Sequence, residues 1–207
     1  RSNVAVGSHS LYNSDIGENV AVGSCASCSN TTGIQNTALG YKTLCSNTIG
    51  NCNVAIGFNT LVTSVTAHGN VAVGNAALCC NTTGEKNVAV GNCALWNNTE
   101  AWYNVAVGHG ALCSNTTGEN NVAIGRQPLN FNTTGMMNIG IGRQALYQNT
   151  TGKCNTAVGV YAMDENRTGC FNQAIGHSSL YNNRTGMYNN AMGYYSLYCA
   201  NSGGHNN

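Results

Sequence analysis

The side chains best equipped for chemistry in this sequence are its eleven cysteines: Cys25, Cys28, Cys45, Cys52, Cys79, Cys80, Cys93, Cys113, Cys154, Cys170 and Cys199. Paired thiols form disulfides in an oxidising compartment, and thiols at suitable spacing hold zinc. Cys25-Ala-Ser-Cys28 has the spacing of a zinc knuckle, but no second pair stands at a matching distance. No metal and no cofactor is therefore expected. An odd number of cysteines leaves one thiol free or paired between chains. Next come the Asn-x-Thr sequons at Asn30, Asn81, Asn115, Asn132, Asn149, Asn166 and Asn183, with another at Asn97. In a chain with a eukaryotic secretory history each is a glycan acceptor. In any other chain it is a turn-forming Asn beside a hydroxyl-rich edge. Catalysis finds little support. His9, His68, His109, His177 and His205 are scattered, Asp164-Glu165 is a lone acidic step, and no nucleophile stands beside a base. The chain reads as a non-enzyme.

What positions these residues is a repeat. The phrase Asn, β-branched residue, Ala, Val or Ile, Gly returns from Asn3 through Asn19, Asn36, Asn53, Asn70, Asn87, Asn104, Asn121, Asn138, Asn155 and Asn172 to Asn189. The first step is 16 residues and every later step is 17. A fixed short period is the mark of a solenoid, each repeat being one coil stacked on the last. Short β-branched runs bounded by Asn and Gly read as strands and tight turns, with almost no helix. The fold class is all-β, a parallel β-solenoid of twelve ~17-residue coils forming a single domain over 1–207. Coils one strand spacing apart, ~4.8 Å, give a rod of roughly 55–60 Å.

Numbered from its Asn, the repeat reads Asn-Val-Ala-Val-Gly-x-x-Ala-Leu-x-x-Asn-Thr-Thr-Gly-x-x. Positions 2 and 4 share one face of the strand and position 3 points the other way. The Val and Ile of positions 2 and 4, with the Leu of position 9, suffice to fill a thin interior. Position 3 is then the oligomer interface: Ala5, Ala21, Ala38, Ala55, Ala72, Ala89, Ala106, Ala123, Ala157 and Ala174, with Gly140 in one coil. A strict Ala column implies burial under a tight distance limit, and another copy of the chain can impose it. The alternative turns Ala inward where the coil is narrow and leaves two Val columns as an exposed apolar stripe. That stripe also demands a partner. Gly at position 5 marks a corner, and Gly or Ala at position 15 a second one. Position 10 carries Cys28, Cys45, Cys79 and Cys113 among bulky residues. On successive coils Cα atoms ~4.8 Å apart fit a disulfide. The same column equally suits Cys as a small packed hydrophobe.

Composition removes other classes. Only 7% of residues are charged and the formal net charge is +1, so no basic surface exists to bind nucleic acid. No apolar run reaches the ~20 residues of a membrane span. The chain begins at Arg1 inside a repeat and reads as a processed product or a piece of something longer. Positions 6, 7, 10, 16 and 17 vary from coil to coil, which is where repeat proteins place recognition. They carry aromatics such as Tyr41, Phe58, Trp96, Tyr161, Tyr181 and Tyr195. Such rings suit surface carbohydrate or lateral packing between chains.

Asn-Val-Ala-Val-Gly and Asn-Val-Ala-Ile-Gly resemble the head repeat of YadA-type trimeric autotransporter adhesins. The longer phrase from Asn138 to Gly152 is closer still to the 17-residue repeats of phage tail-fibre and related surface-fibre proteins. The resemblance implies a left-handed β-roll, three chains side by side, and a role in attachment on a cell or virion surface. The chain departs from the adhesin pattern in coil length and from both patterns in its cysteines. A filament subunit, stacked end to end through Arg1 and the Gly203 region and cross-linked by disulfides, is a second reading. A solenoid that binds ice through the Thr columns, or carbohydrate through the aromatic edge, is a third.

Overall fold

Each Asn-led phrase forms one short strand. A computed structural model describes residues 2–14, 16–200, 204 and 206. It shows an all-β parallel β-solenoid of ~17-residue coils, with no helix among the described residues. The contact expected between Arg1 and Gly203 lies outside them, as does His205. The chain divides into two compact units, Arg1–Tyr103 and Asn104–Asn207. The first holds β1 (Val4–Val6), β2 (Val20–Val22), β3 (Thr37–Leu39), β4 (Val54–Phe58), β5 (Val71–Asn75) and β6 (Val88–Val90). The second holds β7 (Val105–Val107), β8 (Val122–Ile124), β9 (Ile139–Ile141), β10 (Thr156–Val158), β11 (Gln173–Ile175) and β12 (Asn190–Met192). Within each unit the strands pair in parallel and in chain order. Every residue pairs with the same repeat position one coil on, as Ala55 with Ala72 or Val122 with Ile139.

That register exists because two Asn columns bond along it. At position 1, the Asn138 backbone N–H donates to Asn121 Oδ1 at 3.0 Å, and Asn138 Nδ2 donates to the Gly152 carbonyl at 2.8 Å. At position 12, Asn149 Nδ2 donates to Asn132 Oδ1 at 2.7 Å and to the same Gly152 carbonyl at 3.1 Å. One carbonyl at position 15 thus collects two side-chain amides of its own coil. The pattern recurs at Gly33, Gly84 and Gly135. The Asn side chains are fully buried, so these bonds satisfy groups that water cannot reach. A second convergence closes the neighbouring corner. The N–H groups of Thr116, Thr117 and Gly118 and the Thr116 hydroxyl all donate to the Thr133 carbonyl.

The corners differ from the expected ones. Position 5 is a true glycine corner: its φ runs from 119° to 138°, and a Cβ at Gly23, Gly74 or Gly142 would collide with the carbonyl of the next coil's glycine. Position 15 has no positive φ. The sharp turning instead occurs at positions 7, 9 and 17, where bulky residues sit in the left-handed region: Lys42 at 52°, Leu44 at 49° and Cys52 at 59° in one coil. Each such residue costs about 1–2 kcal/mol of backbone strain. For Leu44 the return is complete burial.

Ser64 takes the position-12 place where other coils carry Asn. Its hydroxyl is buried without a hydrogen-bond partner, and so is Asn47 Oδ1 on the preceding coil. Ser64→Asn would supply an amide to that oxygen and an acceptor to Asn81. It should stabilise the chain by about 1–2 kcal/mol, read as a rise in Tm of roughly 2–6 °C. A lower Tm would show that the column is not set by the amide ladder.

Candidate functional site

The Ala column lies inside the chain's own coils. Ala21, Ala38, Ala55, Ala72, Ala89, Ala106, Ala123, Ala157 and Ala174 have no exposed surface, so they cannot form an interface with another copy. Gly140 shows what sets the limit. A Cβ added there would lie 3.1 Å from the Ala145 carbonyl oxygen and 3.3 Å from Leu129 Cγ. The gap between the strand and the returning Ala-Leu segment admits one methyl. Ala5 is exposed, as is the whole of β1.

Positions 2 and 4 correspondingly point outward. Val20 and Val22, Val71 and Val73, and Val105 and Val107 are half-buried on either side of a buried Ala. Exposure rises to 39% at Ile124 and 41% at Ile175. The strands of each unit therefore carry two parallel columns of mainly Val and Ile on the outside. Thr37, Thr156, Gln173 and Asn190 are the polar members.

The seven sequon asparagines of position 12, Asn30, Asn81, Asn115, Asn132, Asn149, Asn166 and Asn183, are at most 1% exposed. The nitrogen a glycan would occupy is the ladder donor, as in Asn132 Nδ2 to Asn115 Oδ1 at 2.8 Å. Their column builds the coil and is closed to glycosylation in the folded chain. Asn97, at position 11, is only partly buried. Of the Thr pair, the position-13 hydroxyls donate to backbone carbonyls. The position-14 threonines Thr32, Thr83 and Thr117 face water.

In the cysteine column, Cys28 and Cys45 stand on paired coils with their sulfurs 3.3 Å apart. No two cysteine sulfurs are at bonding distance. Burial, helped by the Cys28 thiol, pushes Cys45 up to about 11. Cys79 has no cysteine at position 10 of either adjacent coil, where Val62 and Trp96 stand. Burial and the neighbouring Cys80 raise its thiol too. Cys113 lies in the second unit, followed at position 10 by Asn130. Among the described residues no group of three His, Cys, Asp or Glu side chains is placed to hold a metal, and no helix is long and apolar enough to cross a membrane.

The aromatic edge condenses at one place. Tyr161, His177, Ser178, Tyr181, Tyr195 and Tyr198 line an open cleft of roughly 220 Å³. Tyr181 and Tyr198 stack at 5.1 Å and 18°, Tyr195 and Tyr198 at 4.9 Å and 30°, and His177 and Tyr195 at 5.7 Å and 24°. Arg143 sits over the Tyr161 ring at 5.3 Å. Beside it Asp164 is buried and hydrogen-bonded to Tyr181, while its Oδ1 has no partner. Burial is the main cause that pushes the carboxyl up to about 6, with the Glu165 charge adding to it. Burial and the Asp164 charge raise Tyr181 to about 12 in turn. In the sequence Asp164 stands out only as half of a lone acidic step. Its place in the Cys/Tyr/Trp column was the available signal.

No family pattern, curated protein or solved structure matches the chain.

Two outcomes follow from these groups. Asp164 ionises less readily folded than unfolded, so its contribution to stability is full below pH ~4 and is lost as pH rises through about 6. Asp164→Asn should flatten the fall in Tm between pH 4 and 8. At pH 8 it should add about 1–2 kcal/mol, after allowance for the solvent that still reaches the carboxyl. An unchanged pH profile would remove Asp164 from this role. The raised Cys45 thiol predicts slow cross-linking to Cys28 by oxidised glutathione at pH 7 and about a hundredfold faster cross-linking at pH 9, because its thiolate fraction grows tenfold per pH unit below about 11. Peptide mapping of the oxidised chain reads the bond. Pairing of Cys28 with any other cysteine would contradict the register.

Proposed function

We propose that the chain is a structural segment of a surface fibre or adhesin, assembled side by side with copies of itself. The observation that carries this reading is the outward pair of Val and Ile columns on the strands of each unit. Six rungs at ~4.8 Å make a strip about 25–30 Å long per unit, apolar throughout at position 4 and interrupted at position 2 by Thr37, Thr156, Gln173 and Asn190, and apolar strips mark interaction surfaces. Its period selects the occupant. Side chains repeating at one strand spacing interdigitate over many rungs only with a surface of the same period, which a second copy supplies. The absence of charge from the outward positions of β1–β9 removes electrostatic opposition to that contact.

The resemblance to trimeric adhesin heads and phage fibre repeats supports three copies, a left-handed coil and a place outside the cell or on a virion. In this reading the Val columns, not the Ala column, form the contact. The chain performs no catalysis. Its role is to hold a binding surface at a distance from its anchorage.

Light scattering on the purified chain, with and without reductant, tests the reading. A trimer is expected, unchanged by reductant. Val105→Lys with Val122→Lys should reduce it to monomer with retained β-structure by circular dichroism, since both side chains already border water. A monomeric parent chain would overturn the proposal. A long polydisperse assembly that shortens on reduction would replace it with the end-to-end filament.

A further inference from the structure

We propose that folding and N-glycosylation exclude one another in this chain: it takes its fold only where unfolded chains meet no oligosaccharyl transferase, and Asn97 is the one acceptor that the folded coil leaves open. The ground for this is the position-12 ladder, and it stands whether or not the outward columns pair. In the unfolded chain the seven position-12 sequons are ordinary acceptors. The transferase of a secretory lumen meets such a chain as it enters, before any coil has closed. Each transfer replaces one of the two Nδ2 hydrogens with a sugar carbon. The fold uses both hydrogens. Asn132 Nδ2 donates to Asn115 Oδ1 at 2.8 Å and to the Gly135 carbonyl at 2.9 Å. Asn166 Nδ2 donates to Asn149 Oδ1 at 2.8 Å and to the Gly169 carbonyl at 3.2 Å.

There is no room to exchange a bond for a carbon atom. A Cβ built on Gly118 would lie 2.9 Å from Asn132 Nδ2, and one on Gly135 would lie 2.8 Å from Asn149 Nδ2, closer than unbonded carbon and nitrogen come. A sugar ring on the same nitrogen would force the coil open. It would also leave a buried acceptor on the preceding rung without its donor, which is costly in a dry interior. The damage is not confined to one rung: in the second unit the sequons fall on five successive coils, at Asn115, Asn132, Asn149, Asn166 and Asn183. In the opposite order, a closed coil leaves these asparagines at most 1% exposed, out of a transferase's reach. Whichever event comes first prevents the other. Asn97 differs. It stands one place before the ladder residue Asn98, whose Nδ2 bonds Asn81 Oδ1 and the Ala101 carbonyl. It is only partly buried, and Trp96 before it is 41% exposed, so this stretch runs at the outer edge of its coil. One consequence rests on the fibre reading: the surface reached is that of a virion assembled in the cytosol, or of a cell that exports chains without such transfer.

Translation of the full chain, behind a cleavable signal sequence, into microsomes tests the proposal, with reductant present to keep the thiols out of the result. The parent chain should gain glycans on the ladder and be digested by proteinase K. The same chain made without microsomes should survive with a half-life about tenfold longer or more. A competing acceptor peptide in the microsomes should restore that survival. So should Thr→Ala at the position-14 residue of every ladder sequon: Thr32, Thr83, Thr117, Thr134, Thr151, Thr168 and Thr185. These threonines face water, so the substitutions remove the sequons and spare the ladder. The variant should carry one glycan, lost on Asn97→Gln. A parent chain that escapes ladder glycosylation in the microsomes overturns the proposal, as does one that carries ladder glycans and still resists digestion. Sensitivity that the competing peptide leaves unchanged overturns it too. A Thr→Ala variant without a glycan, or one that its glycan makes sensitive, overturns the assignment of Asn97.

Discussion

The structure depends on in-register amide ladders running through the coils. A 17-residue coil encloses too little space for a hydrocarbon core: the interior of each holds about one Leu and two Ala side chains. Hydrophobic burial of that size is modest against the entropy of ordering 17 residues. The balance comes from polar groups that satisfy one another without water. Asn at position 1 ties its coil to the preceding one through a backbone N–H and reaches across its own coil to the position-15 carbonyl. Asn at position 12 joins it there. Each amide is worth little alone, but in a dry interior an unmade one is costly. The ladder therefore enforces a strict period, and a one-residue slip would orphan every rung at once.

The other columns follow from that constraint. With both amide columns fixed inside, the strand must approach the returning segment closely, and position 3 is left with room for a methyl. The larger β-branched residues of positions 2 and 4 are turned outward by strand alternation. Position 9 supplies the bulk of the interior from a left-handed conformation that Leu rarely adopts. Its burial against Ala offsets the strain. The Thr-Thr-Gly segment, which looks like a decorated surface, is a backbone nest in which one carbonyl receives three N–H groups and a hydroxyl.

The period, the strand positions, the absence of helix and the glycine corner at position 5 were all legible in the sequence. Each is written as a repeated residue type. Which strand face turns inward was not legible in the same way. Val-Ala-Val alternates identically in both directions, and hydrophobicity favours Val inside. What decides the matter is the depth of the coil, and Gly140 beside Ala145 and Leu129 makes that depth visible only in three dimensions. The left-handed corners at positions 7 and 17 were illegible for another reason. His9, Cys25, Lys42, Tyr161 and Ser178 all occupy position 7, so no residue type announces the turn. The sequons show the reverse error: the Asn-x-Thr pattern is real, but its nitrogen belongs to the ladder.

Because the ladders and corners fix the backbone from within, the outward edge positions are released from structural duty. Most coils use that freedom without pattern: position 10 holds Cys, Val, Trp, Asn or Tyr. Coils 10 to 12 depart from this, with an acid and two tyrosines at position 10 and further aromatics and His177 at positions 6 and 7. Asp164 is the costly member. A carboxyl buried with one oxygen unpartnered is held against its own ionisation. Stability does not account for it, since the tyrosine or thiol of other coils would fill the same place without penalty.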